Sequence, residues 1–177
     1  ARDARMLARI ARFDPKLLWP ITHRSEEAQR DLQMLKARDA LVSARTKLVN
    51  SARTSVKAFG LRLPAGWSAG AFACKAADEL PEDLLMTLAP VLEAIQTLTD
   101  KIKSYDKSIE RLAESKYPET ARLRQVKGVG PLTALAFRLT IADPSRFEKS
   151  RDVGPFLVLV PRRDQSGSMD KQLHITK

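Results

Sequence analysis

The chain has 177 residues, with 31 Lys and Arg against 21 Asp and Glu, a net charge of +10 and a pI near 10.0. That length suits one or two small domains and no large multidomain enzyme. A single cysteine, Cys74, excludes an internal disulfide framework and a cysteine-rich zinc site, and the longest apolar stretch, Phe156 to Val160, is far too short to cross a membrane.

No charged-then-apolar leader opens the chain, so a soluble intracellular protein is expected. The chain starts at Ala1-Arg2-Asp3 without Met and stops at Thr176-Lys177, which suggests a piece of something longer. Its positive charge is unevenly spread. Residues 1–59 carry a net +7, residues 60–117 a net −2 and residues 118–177 a net +5. Dense Lys and Arg at both ends favour a polyanion partner, because phosphate contacts need locally concentrated cations. Two solvated helical faces would give the same count.

Residues 2–13 read as a short helix. Arg5, Arg9 and Arg12 share one face, and Asp3, Leu7 and Ile10 another. An acid on the apolar face is unusual, although a first-turn Asp is also favoured by the helix dipole. Pro15 and Pro20 end this helix and make residues 14–24 a linker. Ser25 followed by Glu26 and Glu27 is a helix start, with a capping hydroxyl and acids in the first turn. No proline or glycine follows until Gly60. Ala28, Leu35, Val42, Val49 and Val56 recur every seven residues, flanked by Met34, Leu41 and Leu48. This predicts one amphipathic helix roughly 50 Å long. Arg45, Lys47, Arg53 and Lys57 make its end basic, with no acid after Asp39.

Gly60, Pro64, Gly66 and Gly70 mark residues 60–80 as a long connection, tacked onto neighbouring helices by Trp67 and Phe72. Pro81 with Glu82 and Asp83 starts the next helix. Leu84, Leu88, Val91, Ile95, Leu98, Ile102, Tyr105, Ile109 and Leu112 alternate spacings of four and three, which describes a coiled-coil seam. Pro90 lies off that seam and should bend the helix or loosen one hydrogen bond. The seam can pack antiparallel on the 25–59 helix or against a second copy.

In the last third, Leu123, Val126, Gly128, Gly130, Pro131 and Ala134 have the spacing of a helix-hairpin-helix. The glycines permit a tight turn, Pro131 suits the first position of a helix, and amide groups at a helix N-terminus attract phosphate. Lys127 and Arg124 lie beside this turn. A plain helical corner in a small core is the alternative. Asp143-Pro144-Ser145 reads as a cap or turn, and Ser150 to Val160 as a short buried apolar helix interrupted by Gly154-Pro155. Pro161 to Ser168 reads as a basic surface loop, with Arg162 and Arg163 available for phosphate and Lys171 just beyond. Ser166 has no adjacent base, the nearest histidine being His174, so composition alone makes it a weak nucleophile candidate.

Taken together, Gly128-Val129-Gly130-Pro131-Leu132-Thr133-Ala134, Asp143-Pro144-Ser145-Arg146-Phe147, Ser150-Arg151-Asp152-Val153-Gly154, Leu159-Val160-Pro161-Arg162, Gln165-Ser166-Gly167 and Ile175-Thr176-Lys177 resemble one family. It is the transposase family of bacterial insertion sequence 110, the bridge-RNA-guided DEDD recombinases. The opening Asp3-Ala4 and Leu7-Ala8-Arg9 resemble the end of that family's RuvC-like domain. The resemblance implies a mainly α fold: a long antiparallel helical hairpin or coiled coil, then a small helical domain with a helix-hairpin-helix. It divides the chain into a RuvC-like remnant and linker (1–24), a coiled-coil domain (25–117) and a truncated transposase domain (118–177).

It further implies that Asp3 is the last acid of a Mg²⁺-binding set whose other members lie outside this chain. Ser166 would be the nucleophile that links to DNA. Lys127, Gly128, Gly130, Arg162, Arg163 and Lys171 would contact the nucleic acid. Implied partners are DNA, a guide RNA and further copies of the chain in a dimer or tetramer, with no membrane, in the bacterial cytoplasm near the nucleoid. The isolated chain would be inactive, and a non-catalytic DNA- or RNA-binding and dimerising module is the alternative. Two departures from the family stand out. Val158 and Ser168 occupy positions where relatives commonly have glycine.

Overall fold

In a computed structural model, residues 2–17, 23–161, 163–166 and 169–174 are described. The chain is mainly helical. Helix α1 spans Arg2–Phe13, α2 Glu26–Lys57, α3 Phe72–Glu79, α4 Glu82–Lys116, α5 Thr120–Leu123, α6 Pro131–Ile141 and α7 Val153–Phe156. A two-stranded antiparallel hairpin follows, β1 Arg163–Ser166 with β2 Met169–Gln172. None of the described helices is long and apolar enough to cross a membrane.

The expected capping of α2 is present: the Ser25 hydroxyl accepts a hydrogen bond from the Ala28 amide at 3.2 Å. Helices α2 and α4 form the long antiparallel hairpin. Asp31 near the start of α2 meets Lys116 at the end of α4, Arg38 meets Asp106, and Arg45 meets Thr99. Pro90 is accommodated without a break in α4 because it lies on the exposed face, where water can satisfy the carbonyl that lost its donor.

Two apolar cores stabilise this hairpin. The distal core joins Val49, Ala52 and Val56 of α2 to Phe72, Ala73 and Ala76 of α3 and Leu88, Leu92 and Ile95 of α4. The proximal core joins Leu35 of α2, Ile109, Ala113 and Tyr117 from the end of α4, and Leu135 and Leu139 of α6. Between them the hairpin is more polar. Thr99 is buried and donates to the Ile95 carbonyl at 2.8 Å, while an Arg45 guanidinium N–H donates to Thr99 Oγ1 at 3.3 Å. Arg38 and Asp106 pair at 2.7 Å.

The seam of α4 is wider than its heptads suggest. Leu88, Ile95, Ile102 and Ile109 are buried as expected, but Leu92, Thr99 and Ala113 are buried in place of Val91, Leu98 and Leu112, which are only half-buried. The cause is that α4 packs on α2, on α3 and on α6, so more than one stripe is covered. Residues 60–80 are not merely a loop. Phe72 is completely buried and opens α3, and Trp67 meets it edge-to-face with centroids 6.1 Å apart.

Candidate nucleic-acid interface

The glycine turn connects the short α5 to α6. Thr120 anchors α5 from below, its buried hydroxyl donating to the Tyr117 carbonyl at 2.7 Å. After α5 the chain winds through Val126, whose carbonyl accepts from the Val129 amide at 3.0 Å. Gly128 sits at φ +91°, a left-handed conformation that strains any residue with a Cβ. Gly130 is extended, at φ −88° and ψ 176°, and immediately precedes α6 with Pro131 in its first turn. Only Gly128 therefore needs to be glycine for its backbone. Lys127 and Arg124 are exposed beside the turn. The space beside the α-carbons of Gly128 and Gly130 is open among the described residues, so a ligand can approach the backbone closely.

At the other end of α6 lies a cleft of about 700 Å³ between the start of α2, the end of α4 and the end of α6. Of its cations, Arg24, Lys116 and Arg138 are hydrogen-bonded or ion-paired, and Arg146 lies over the Phe147 and Phe156 rings. Arg24 donates to the carbonyls of Leu139 and Thr140 at 2.8 and 3.0 Å, which caps the C-terminal end of α6. Arg138 pairs with Glu119 at 2.6 Å and donates to the Ala142 carbonyl. A hydrogen bond from its own backbone and the Arg138 guanidinium lower the Glu119 carboxyl below its ordinary value, against a smaller effect of burial. Lys116 bridges Asp31 and Glu27, and the Tyr117 hydroxyl donates to Asp31 at 2.6 Å. Burial pulls the Asp31 carboxyl upward, but hydrogen bonds from Lys116 and Tyr117 and the charges of Lys116 and Arg30 together hold it below the usual range. Burial and the bond to Asp31 push the Tyr117 phenol up. The cleft is thus a self-neutralised joint that orients α6, and sequence reading missed it because its pairs span up to 116 residues.

The other expected site residues divide between two places. Asp3 is exposed in the first turn of α1, which packs on the following 3₁₀ turn, Pro15–Leu17. Ser166 is the last residue of β1, facing Met169 in register. Arg163 and Lys171 lie on the same hairpin, opposite Gln172 and Asp164 respectively. Arg162 lies outside the described residues, as do Gly167 and Ser168. Where a surface loop was expected over residues 161–168, residues 163–166 instead form β1, paired antiparallel with β2.

The approach to the hairpin also differs from expectation. Residues 150–160 form a 3₁₀ turn (Ser150–Asp152) and then α7, which contains Gly154-Pro155 instead of being interrupted by it. The apolar run is not buried: Val158, Leu159 and Val160 are exposed. Val158 has φ +61°, a conformation costly for a β-branched residue. Arg146 stacks over the Phe156 ring at 4.7 Å and Phe147 meets that ring edge-to-face, which holds α7 to the turn after α6.

Residues 120–177 match the family described as Transposase IS116/IS110/IS902 family. The chain is 32% identical to the transposase for insertion sequence element IS1111A of Coxiella burnetii, over 84% of this chain and 42% of that protein. It is 29% identical to the transposase for IS1328 of Yersinia enterocolitica, over 89% of this chain and 47% of the relative. A probable family 20 transposase of Pseudomonas aeruginosa is 28% identical, over 100% of this chain and 53% of the relative. The C-terminal third thus matches the IS116/IS110/IS902 family of transposases, and most of the chain is similar to these relatives. It spans about half the length of the curated relatives it matches. No solved structure matches it.

Proposed function

We propose that this chain is the coiled-coil and C-terminal part of an insertion-sequence transposase, and that it holds DNA at the glycine turn and the β-hairpin. The match of residues 120–177 to the transposase family carries the reading. The open, left-handed Gly128 with Lys127 beside it supports a backbone-phosphate contact of the helix-hairpin-helix kind. Arg162, Arg163 and Lys171 add cations next to Ser166 in sequence.

In the complete protein, Ser166 is the nucleophile. Its Oγ bonds to a backbone phosphorus, a sugar oxygen leaves with the proton, and the phosphoserine link preserves the bond energy for rejoining. A guide RNA directs the reaction, and further copies of the chain supply a dimer or tetramer. A Mg²⁺ ion needs several carboxylate oxygens, and among the described residues no group of three or more His, Cys, Asp or Glu could hold a metal. The residues present do not by themselves fit a Mg²⁺ site, so Asp3 acts only as one member of a set completed elsewhere.

The test has two arms. The 177-residue chain should bind duplex DNA with an affinity that falls steeply with salt, and salt-independent binding or none would refute the DNA contact. The full-length protein on a nicked suicide substrate should form a covalent DNA adduct that Ser166→Ala abolishes. An adduct that survives that substitution would remove Ser166 from the chemistry.

A further inference from the structure

From Ala40 to Ala77 the chain contains six basic residues, Arg45, Lys47, Arg53, Lys57, Arg62 and Lys75, and no acidic one. The fold gathers the middle of this stretch at the far end of the helical hairpin, away from the glycine turn. There Arg53, Lys57, Arg62, Leu63, Pro64 and Ala65 line a notch of about 470 Å³ without a carboxylate.

Three observations set this notch apart from the neutral cleft beside α6. First, among the described residues, Lys47, Lys57 and Arg62 form no ion pair. Second, these cations are not needed to cap α2. The Ser55, Val56 and Lys57 carbonyls already accept from the amides of Ala58, Phe59, Gly60 and Leu61. Third, Arg53 is pre-organised. Its guanidinium lies over the buried Phe72 ring at 5.1 Å and donates to the Leu63 carbonyl at 3.1 Å, a bond that uses one of its five N–H donors.

Exposed Lys47, Asn50, Thr54 and Lys57 follow one another at spacings of three and four and so form a polar track on a single face of α2 leading to the notch. That track is about 15 Å long, roughly four nucleotides at about 3.4 Å per residue of one strand.

We propose that the tip of the hairpin is a second nucleic-acid contact, in which Arg53, Lys57 and Arg62 hold a backbone phosphate and Lys47 the adjoining strand. This rests on the reading of the chain as a nucleic-acid-binding part of a transposase and adds a site to it. The contact is to phosphate, so it positions a strand and does not read bases. With contacts at both ends, the hairpin would act as a strut between two points of one nucleic acid.

The experiment measures binding of the 177-residue chain, by fluorescence anisotropy across a salt series, to a 20-base-pair DNA duplex and to a hairpin RNA. Lys57→Gln/Arg62→Gln should weaken binding several-fold and reduce the log–log salt slope by about 0.9, the value for one lost phosphate contact. The melting temperature should hold, and Lys57→Arg/Arg62→Lys should restore the slope. The nucleic acid with the larger change in slope is the tip's partner. An undiminished slope in the double glutamine variant, with the parent chain binding normally, would overturn the tip site alone. Absence of salt-dependent binding by the parent chain would overturn both this site and the wider reading. A double variant that keeps its slope but sediments as a smaller species would also overturn the proposal, assigning the basic notch instead to the acid-rich segment of another copy, where Asp78, Glu79, Glu82 and Asp83 lie.

Discussion

Val158 illustrates how one residue can carry a local cost. Its φ of +61° places a β-branched side chain in left-handed space, while 76% of its surface stays exposed and so contributes little packing in return. Val158→Gly should stabilise the protein by about 1 kcal/mol by removing the Cβ strain, partly offset by the greater freedom of glycine in the unfolded chain. Denaturant melts of the two proteins measure this, and a loss of stability would show that the valine makes contacts that outweigh the strain. The resemblance had marked this position as one where relatives carry glycine. The physical reason, a positive φ, is invisible in sequence because no neighbour-independent rule assigns left-handed backbone to a valine. Gly128 was legible for the opposite reason. A glycine two residues before Gly130-Pro131 signals a turn from composition alone, and its φ of +91° agrees.

At the scale of elements, the joint between α2 and α4 depends on protonation. Asp31 titrates lower in the folded protein than its ordinary value of 3.8. Its contribution is therefore complete above the ordinary aspartate range and is lost as pH falls through the lowered folded value. Lys116 is raised: burial alone would lower it, but hydrogen bonds to Asp31 and Glu27 prevail. Its contribution is complete below its ordinary value of 10.5 and is lost only at still higher pH. Stability should be level near neutrality and fall below about pH 4. Asp31→Asn should cost about 1–3 kcal/mol at pH 7 and flatten the acid limb; chemical denaturation at pH 7 and pH 3 compares the two. An equally steep acid limb in the variant would place the sensitivity at another carboxylate.

The long helices themselves were readable, because heptad spacing, the Ser25 cap and the absence of helix breakers are local signals. Helix α3 was not, since its small residues resemble a loop until Phe72, Ala73, Ala76 and Leu80 are seen facing one core. The β1–β2 hairpin was not either, for its strands lack the apolar alternation that marks a buried sheet.

Over the whole molecule, the glycine turn does not stand on a unit of its own. Leu135 and Leu139 of α6 are buried in the same cluster as Leu35 and Ile109 of the hairpin, and Arg24 ties the segment before α2 to the end of α6. The transposase-like segment is therefore oriented by the hairpin. Leu135→Ala should cost about 2–5 kcal/mol by leaving a cavity in that shared core. It should lower one cooperative transition that includes the hairpin, followed by circular dichroism on heating. A separate, earlier transition with the hairpin unmoved would show that α6 folds independently.

The sequence by itself determined the helical class, the two long helices, the basic ends and the family resemblance, since each follows from local composition, periodicity or short motifs. Only the tertiary structure decided which cations are free. Arg24, Lys116 and Arg138 have the same charge on paper as Lys57 and Arg62, but the first three are occupied by carboxylates and carbonyls from distant parts of the chain. The last two lie in a notch with no acid lining it. Net charge is additive along a sequence, whereas the field at a surface depends on which opposite charges folding brings within a few ångströms.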